Sequence, residues 1–538
     1  MSTGPQATPS SPQTMDRQTG SQTDDDYPLR YAPSHYRRWS SATVAITALG
    51  GIAYLADFSI GASIALSYGT WNAILGILVA AFIIFISGFP LAWYAARYNI
   101  DLDLISRGAG FGYGGSILTS LVFASFTCIL FALEGSIMAQ GLALGLGMPL
   151  WAGYLLSTLV VFPFVLYGMK ALAKMQVWTT PLWLLLMLGP VSYLVYKQPA
   201  LVPHFLSFPG LSGHEALSLS AIMLSSGVAL ALMAQIGEQI DYLRFMPTKT
   251  KENRLSWWVS VIAAGPGWVI LGALKQIIGA FLAVFILKQV GAHTAAEPVH
   301  QFLAALQTIF TPTLAMILAV ILVVISQIKI NITNAYSGSL AWTSAYTRLT
   351  GHFPGRLVFL VINLLLALAL MEGNMFSILQ AILSLYADCA IAWIMTVTAD
   401  IVFNKYLLGL SPKEPEFRRT MLPAINPVGT GAFLLATVIS ILAYEGVLGA
   451  GLQPYSALIA FLVASIATPL LALLTRGRTY LLRDDDGIEE PRFHPDGTAN
   501  TTLHRCISCE GEYERPDMLC LPEQDDTVCS LCAGLKKS

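Results

Sequence analysis

Apolar runs long enough to cross a bilayer recur from residue 43 to residue 474 and leave little chain for anything else. A run of about 20 residues with few charges finds no stable place at a protein–water surface, and a long series of them marks a polytopic membrane protein. The runs lie near 43–66, 73–95, 114–141, 150–168, 178–196, 217–240, 257–288, 312–337, 357–373, 376–402, 429–449 and 454–474, which predicts twelve transmembrane helices. The seventh is long enough for a span plus an interfacial piece, and the joint between the ninth and tenth is tight, at Glu372-Gly373-Asn374. Composition agrees: 55% of the 538 residues are apolar and 12% charged, with a mean hydropathy of +0.62. Soluble domains carry roughly twice that charge. A net charge of −2 gives no electrostatic footprint for nucleic acid. The expected partners are the lipid bilayer and a small molecule.

Lys and Arg in the short loops set orientation. One side carries Arg97 and Arg107, Lys170 and Lys174, Arg244 to Arg254, Arg348 and Arg356, Lys405 to Arg419, and Arg476 to Arg483; the other has Lys197 and Lys288. The alternation predicts an even number of spans, both termini in the cytoplasm, and residence in the cell inner (plasma) membrane. Residues 1–40 are rich in Ser, Thr, Gln and Pro and read as a disordered tail ahead of a transmembrane domain over 41–475.

Within this apolar chain, Ile325 to Ser339 stands out. Read as a helix, its polar groups Lys329, Thr333, Ser326, Ser337, Asn334, Gln327 and Asn331 share one arc, opposite Ile325, Ile328, Ile332 and Ala335. Amides and an ammonium at membrane depth are costly unless they face protein or a wet cavity, so the arc reads as one wall of a binding site. The first run is interrupted by Gly50-Gly51 and carries Asp57. Those glycines suit either local unwinding, which frees carbonyls and helix ends for ligands, or close helix packing. The third run carries Glu134 beside Phe131, and the sixth carries Gln235, Glu238 and Gln239 near one another. Asp241 and Arg244 suit a gate pair at the rim. Lys275-Gln276, mid-run in the seventh, has no evident role in the sequence.

After Leu474 the composition changes. An acidic linker (476–503) leads to a Cys-rich module (504–538), where Cys506 and Cys509 precede Cys529 and Cys532, with Cys520 between. Two Cys-x2-Cys knuckles at this separation suit a tetrahedral structural zinc site, with Cys520 or His504 as alternative ligands. So small a module lacks the core to fold without metal. No nucleophile–base pair or metal-catalytic motif is visible, so neither enzymatic activity nor an organic cofactor is expected.

Ala96-Arg97-Tyr98, Ile105-Ser106-Arg107 and then Phe111-Gly112-Tyr113-x-Gly115-Ser116 resemble the segment between the second and third helices of the nucleobase–cation symporter family, the purine/cytosine, allantoin and hydantoin permeases. Asp241-Tyr-Leu-Arg-Phe245 is similar to that family's motif closing the sixth helix, and Leu385 to Asp400 more loosely to its tenth. The resemblance implies an all-α fold of the leucine-transporter type: two inverted five-helix repeats plus two extra helices, with substrate at mid-membrane between helices one, three, six and eight. Asp57, Glu134, Glu238 and Lys329 would then meet there. It implies a secondary active transporter of a small nitrogen-rich compound, with Asp57, Phe131, Glu134, Gln235, Lys329, Asn331 and Asn334 binding substrate. Asp57, Ser326 and Lys329 would serve cation coupling; Lys329, paired with Asp57 or Glu134, would stand in for a bound cation, leaving protons as the coupling ion. Two features depart from the family: Leu130-Phe131 and about Leu232 stand where tryptophans commonly stack a base, and the zinc-ribbon-like tail is additional. They support an alternative, a permease-derived receptor that signals to a cytosolic partner through its tail.

Overall fold

The computed structural model describes residues 29–37, 39–166, 168–213, 217–352, 354–373, 379–521 and 526–534. Residues 1–28 of the disordered tail expected over 1–40, and Asn374 of the tight joint, lie outside the described residues.

Among the described residues, every expected apolar run is occupied by helix. The first is split into α1 (Ser41–Gly51) and α2 (Ala56–Tyr68), bent by 51°. There follow α3 (Thr70–Tyr98), α4 (Ile117–Leu146), α5 (Leu150–Leu159), α6 (Phe162–Leu166), α7 (Gly168–Lys197), α8 (Leu219–Leu230) and α9 (Gln235–Leu243). The second half holds α10 (Arg254–Ala264), α11 (Trp268–Ala295), α12 (Pro298–Gln307), α13 (Pro312–Thr350), α14 (Arg356–Glu372), α15 (Leu379–Ala399), α16 (Pro427–Tyr444) and α17 (Ser456–Leu474). Among the described residues, nine helical segments are each long and apolar enough to span a membrane. The bent first pair and the shorter Leu150–Leu166 and Arg356–Glu372 occupy the places of the first, fourth and ninth runs.

Local chemistry sets many of the ends. Ser40 caps α1 through Thr43 N (3.1 Å), and Asn426 caps α16 through Val428 N (3.0 Å) with Pro427 opening the helix. The seventh run is divided into α10 and α11 at Gly265–Gly267. Packing places the site: α4 lies along α13, α11 along α2, and α8 along α3. The main apolar cluster runs through the first three and the sixth, seventh and tenth runs.

The Gly-rich stretch after Arg107 is explained by backbone approach. Gly108 and Gly110 lie against the loop ahead of α16: a Cβ on Gly108 would come 2.4 Å from Glu416 O, and Gly110 has φ +81 beside Gly429. Tyr113 N and Gly114 N donate to Pro423 O (2.9 Å) and Ala424 O (2.7 Å).

Two domain boundaries differ from the sequence reading. Leu29, Arg30, Tyr31 and Ala32 are buried, and Ser34 N donates to Glu514 Oε1 (2.8 Å), so the end of the N-terminal tail is docked on the Cys-rich module. The acidic segment 476–503 is docked as well. Tyr480 bonds Asn404 (2.9 Å), and Asp486 bridges Arg418 (2.6 Å) and Arg515 (2.8 Å). Phe493 packs edge-on against Tyr98. Asp484, Asp485, Glu489 and Glu490 of this segment are exposed, whereas Asp486 is buried between the two arginines. Two antiparallel hairpins finish the chain: β1 (Leu503–Arg505) with β2 (Glu512–Glu514), and β3 (Met518–Cys520) with β4 (Thr527–Cys529).

Candidate functional site

The break in the first span is the centre of the site. Between Gly51 and Ala56 the helix unwinds over Ile52–Leu55, which frees carbonyls and amides that a continuous helix would pair internally. Glu134 of α4 reaches one of them: its Oε1 accepts from Ala56 N at 3.3 Å. Lys275 of α11 takes two others, donating to Ile52 O (2.6 Å) and Tyr54 O (3.1 Å). The same ammonium pairs with Asp57 Oδ2 at 2.8 Å and lies 3.6 Å from the centre of the Tyr54 ring. Gln276 Nε2 donates to the other Asp57 oxygen at 2.8 Å. Asp57, Lys275 and Glu134 are all buried and within Coulombic range of one another.

The sixth run is one helical segment, Leu219–Leu243, with a tighter turn inside it. α8 and α9 are joined by a tight turn over Ala231–Ala234, and helical backbone angles persist at its junctions with both helices. From α9, Gln235 Nε2 donates to Glu238 Oε2, and Tyr242 OH bonds Thr333 Oγ1 of α13 at 2.9 Å. A side chain on Gly51 would meet that same Thr333 and Tyr242, so α1, α9 and α13 converge there. On α13, Asn331 Nδ2 donates to Phe131 O (3.3 Å) and Asn334 Nδ2 to Asn331 Oδ1 (3.2 Å). Glu134 Oε2, Glu238 Oε1, both polar atoms of Gln239, Asn334 Oδ1 and Ser326 Oγ are buried without a hydrogen-bond partner among the described residues. Buried polar groups are rarely left so, and a cluster of them spread over α4, α9 and α13 is what a polar ligand would complete.

The sequence-expected residues therefore fall into two sets. Asp57 and Glu134 reach the break itself; Gln235, Asn331 and Asn334 sit in the adjoining polar network. Lys329 stands elsewhere. Its Nζ bonds Gln176 O (2.9 Å), Thr179 Oγ1 and Thr180 Oγ1 (both 3.0 Å) of α7, so the expected pairing with Asp57 or Glu134 gives way to hydroxyl and carbonyl partners. The α7 hydroxyls are one helical position apart, at Thr179-Thr180, and provide a neutral cradle nearer than either acid. Phe131 contributes its carbonyl to Asn331, while its side chain belongs to an apolar cluster with Cys128, Ile332 and Leu364. Lys275, Gln276, Tyr54 and Tyr242 were not expected in the site. A lysine in mid-run with a glutamine beside it was the available signal.

Towards the basic face a second polar layer closes the bundle. Arg244 pairs with Asp101 (3.2 Å), whereas Asp241 Oδ2 accepts from Ser337 (2.6 Å). Asp103 holds Arg107 (3.1 Å) and Arg348 (2.9 Å) together with Ser120 and Ser344. These contacts tie the segment after α3 to the ends of α9 and α13.

In the tail, the sulfurs of Cys506, Cys509, Cys529 and Cys532 all lie within 4.8 Å of one another. A tetrahedral ion about 2.3 Å from each thiolate sets sulfurs about 3.8 Å apart, so the donor set fits one metal ion. Cys529 N donates to Cys506 Sγ (3.3 Å) and Cys532 N to Cys529 Sγ (3.4 Å), the backbone bonds that hold knuckle sulfurs in place. Arg30 Nη2 also donates to Cys529 Sγ (3.3 Å), while its Nη1 pairs with Asp517 (3.0 Å). The alternative ligands lie outside the group: His504 faces Glu490 at 3.5 Å, and Cys520 packs against Gly487.

A broken first helix, a tightened turn within the sixth, and polar groups from α4 and α13 beside the break agree with a membrane transporter of the leucine-transporter type. The profile of the family described as permeases for cytosine/purines, uracil, thiamine and allantoin matches residues 31–410, and the chain belongs to that family. Among solved structures it resembles Mhp1, a nucleobase-cation-symport-1 family transporter, in a closed conformation with bromovinylhydantoin bound. The TM-score is 0.61 at 17% identity, covering 84% of this chain and 99% of that one. The inward-facing conformation of Mhp1 gives 0.60 at 18% identity, covering 84% and 97%. A Na+-coupled sialic acid symporter, outward-open and substrate-bound, gives 0.58 at 13% identity, covering 86% and 94%. No curated protein matches. The chain is thus a transporter rather than an enzyme.

Proposed function

We propose that this protein is a secondary active transporter of a small, donor-rich nitrogen compound of the nucleobase, hydantoin or allantoin class, working by alternating access. The observation that carries this reading is Glu134 bonded to the freed Ala56 amide at the helix break, with unpartnered polar atoms of Glu238, Gln239 and Asn334 nearby. Carboxylates and amide oxygens accept hydrogen bonds, so the site suits a ligand that presents several N–H groups. Substrate would lie against Asp57, Glu134, Gln235, Asn331 and Asn334. Phe131 and Lys329 support the walls, and Ser326 lies on the same arc of α13. Protons rather than sodium are the coupling ion. The basic face is cytoplasmic, the membrane is the cell inner (plasma) membrane, and the tail binds one structural zinc ion through Cys506, Cys509, Cys529 and Cys532.

Uptake by purified protein in vesicles, with nucleobases, hydantoins and allantoin as labelled substrates and an imposed proton gradient, tests this reading. Accumulation driven by the gradient is expected for at least one class; none for any class ends it. The docked tail favours a second reading, a receptor acting on a cytosolic partner, since Arg30 of the N-terminal segment and Arg418 of the loop ahead of α16 both bond the Cys-rich module, and Tyr480 of the segment before it bonds Asn404. That reading predicts ligand binding without uptake.

A further inference from the structure

We infer that Lys275 is a covalently tethered cation occupying an alkali-metal-like site, and that the helix break therefore needs no dissociable sodium ion. The cage around its ammonium is built from Ile52 O at 2.6 Å, Tyr54 O at 3.1 Å, Asp57 Oδ2 at 2.8 Å and the face of the Tyr54 ring at 3.6 Å. Carbonyls released by an unwound transporter helix, joined by an acidic side chain, are the donor set by which such folds coordinate Na+ or H+. Here a side chain from α11 supplies the positive charge. An ordinary buried ion pair would need only the carboxylate. This ammonium makes its shortest contact with a backbone carbonyl of the break, and takes a second carbonyl two residues on.

The position has three consequences. Lys275 neutralises Asp57, which would otherwise be a buried acid beside Glu134. It satisfies two carbonyls that the break leaves without helical partners. It also ties α1, through Ile52, to α2, through Asp57, so the two half-helices are held at their angle by one group from α11. Lys329, the cation expected for this task, bonds α7 instead. Lys275 is accordingly a positioning residue, and the site it fills has the chemistry of a small monovalent cation.

The inference deepens the transport reading and rests on it for its role in coupling, but its test needs no uptake. Full-length protein is purified in sodium, exchanged into choline at constant ionic strength, and its Tm followed as sodium is restored. The wild type is expected to show no saturable shift. Lys275→Ala, which leaves Ile52 O, Tyr54 O and the Asp57 carboxylate facing an emptied cage, is expected to melt lower in choline and to regain stability saturably in sodium. Asp57→Asn/Lys275→Met, neutral and filled, is expected to give no sodium shift. A saturable sodium shift in the wild type overturns the inference without any variant, even where Lys275→Ala fails to fold. A folded Lys275→Ala protein indifferent to sodium overturns it as well. Failure of uptake would remove the transport reading and leave these melting results standing.

Discussion

Arg418 is where the tail is fastened to the bundle, and Arg418→Met should release it. The guanidinium is buried and makes bonds to Glu416 Oε2 (2.7 Å), Asp486 Oδ2 (2.6 Å) and Met518 O (2.6 Å). Burial alone would push the Glu416 carboxyl up; Arg418 first and Arg492 second outweigh it and hold the group at about 2, against an ordinary value near 4.5. That difference, at about 1.4 kcal/mol per unit, is worth roughly 3 kcal/mol at neutral pH. Removing one partner of a buried pair typically costs about 3–5 kcal/mol, because the other charge stays behind. The lower figure corresponds to about a hundredfold rise in the opening equilibrium of the tail. Hydrogen exchange reads it directly: the Cys520 amide, bonded to Asp486 O at 2.8 Å, should lose about two orders of magnitude of protection in Arg418→Met, while α4 and α13 keep theirs. Acid should do the same to the wild type. Since the folded pKa is depressed, the contribution of Glu416 is complete above about 4.5 and is lost as pH falls towards 2. Unchanged protection at Cys520 in the variant, or release on raising the pH instead, would refute the reasoning.

If the four cysteines hold a structural metal ion as proposed, chelation should unfold the two hairpins and, through Arg30 and its bond to Cys529 Sγ, expose residues 29–37; paired exchange measurements with and without chelator check both segments. Lys329→Met should lower Tm by an amount worth about 1–3 kcal/mol, because Thr179, Thr180 and Gln176 lose their donor, yet leave the melting of the protein indifferent to sodium. Glu134→Gln keeps an acceptor for Ala56 N but removes the charge; a hydrogen bond to a charged group is worth about 1.5–3 kcal/mol, so ligand affinity by calorimetry should fall roughly 10- to 100-fold. Gly110→Ala, at φ +81 and with its Cβ 2.9 Å from Gly429 N, should destabilise the protein by at least about 1 kcal/mol in thermal melts.

Spans were legible in the sequence because bilayer thickness imposes a length on apolar runs, and each of the twelve runs is occupied by helix among its described residues. Asp57, Glu134 and the arc on α13 were legible for a related reason: polar atoms are too costly in hydrocarbon to be incidental. What such reasoning lacks is direction. Lys275 and Lys329 both lie within long apolar runs, and helical periodicity alone does not say which one faces the break. The answer lies in packing, with α11 laid along α2 and α13 turned towards α7. The tail reverses the problem. Its acids read as solvated because charge runs usually are, and only the folded chain brings Asp486 between Arg418 and Arg515.

The Gly-rich stretch joins the two ends of this account. Gly108 has no room for a Cβ because Glu416 O lies against it, and Glu416 is the residue that, two positions on, is clamped by Arg418. The same loop receives Lys405, whose ammonium bonds Gly108 O (3.0 Å) and faces Asp400 (3.6 Å). Arg107, next to Gly108, pairs with Asp103 in the layer that closes the bundle. A continuous set of backbone and ionic contacts therefore runs from the Cys-rich hairpins, through Met518 O and Arg418, to Gly108 and Asp103. The hairpins and the polar layer at Asp103 are thus joined through the loop that carries Glu416 and Arg418 rather than packed independently.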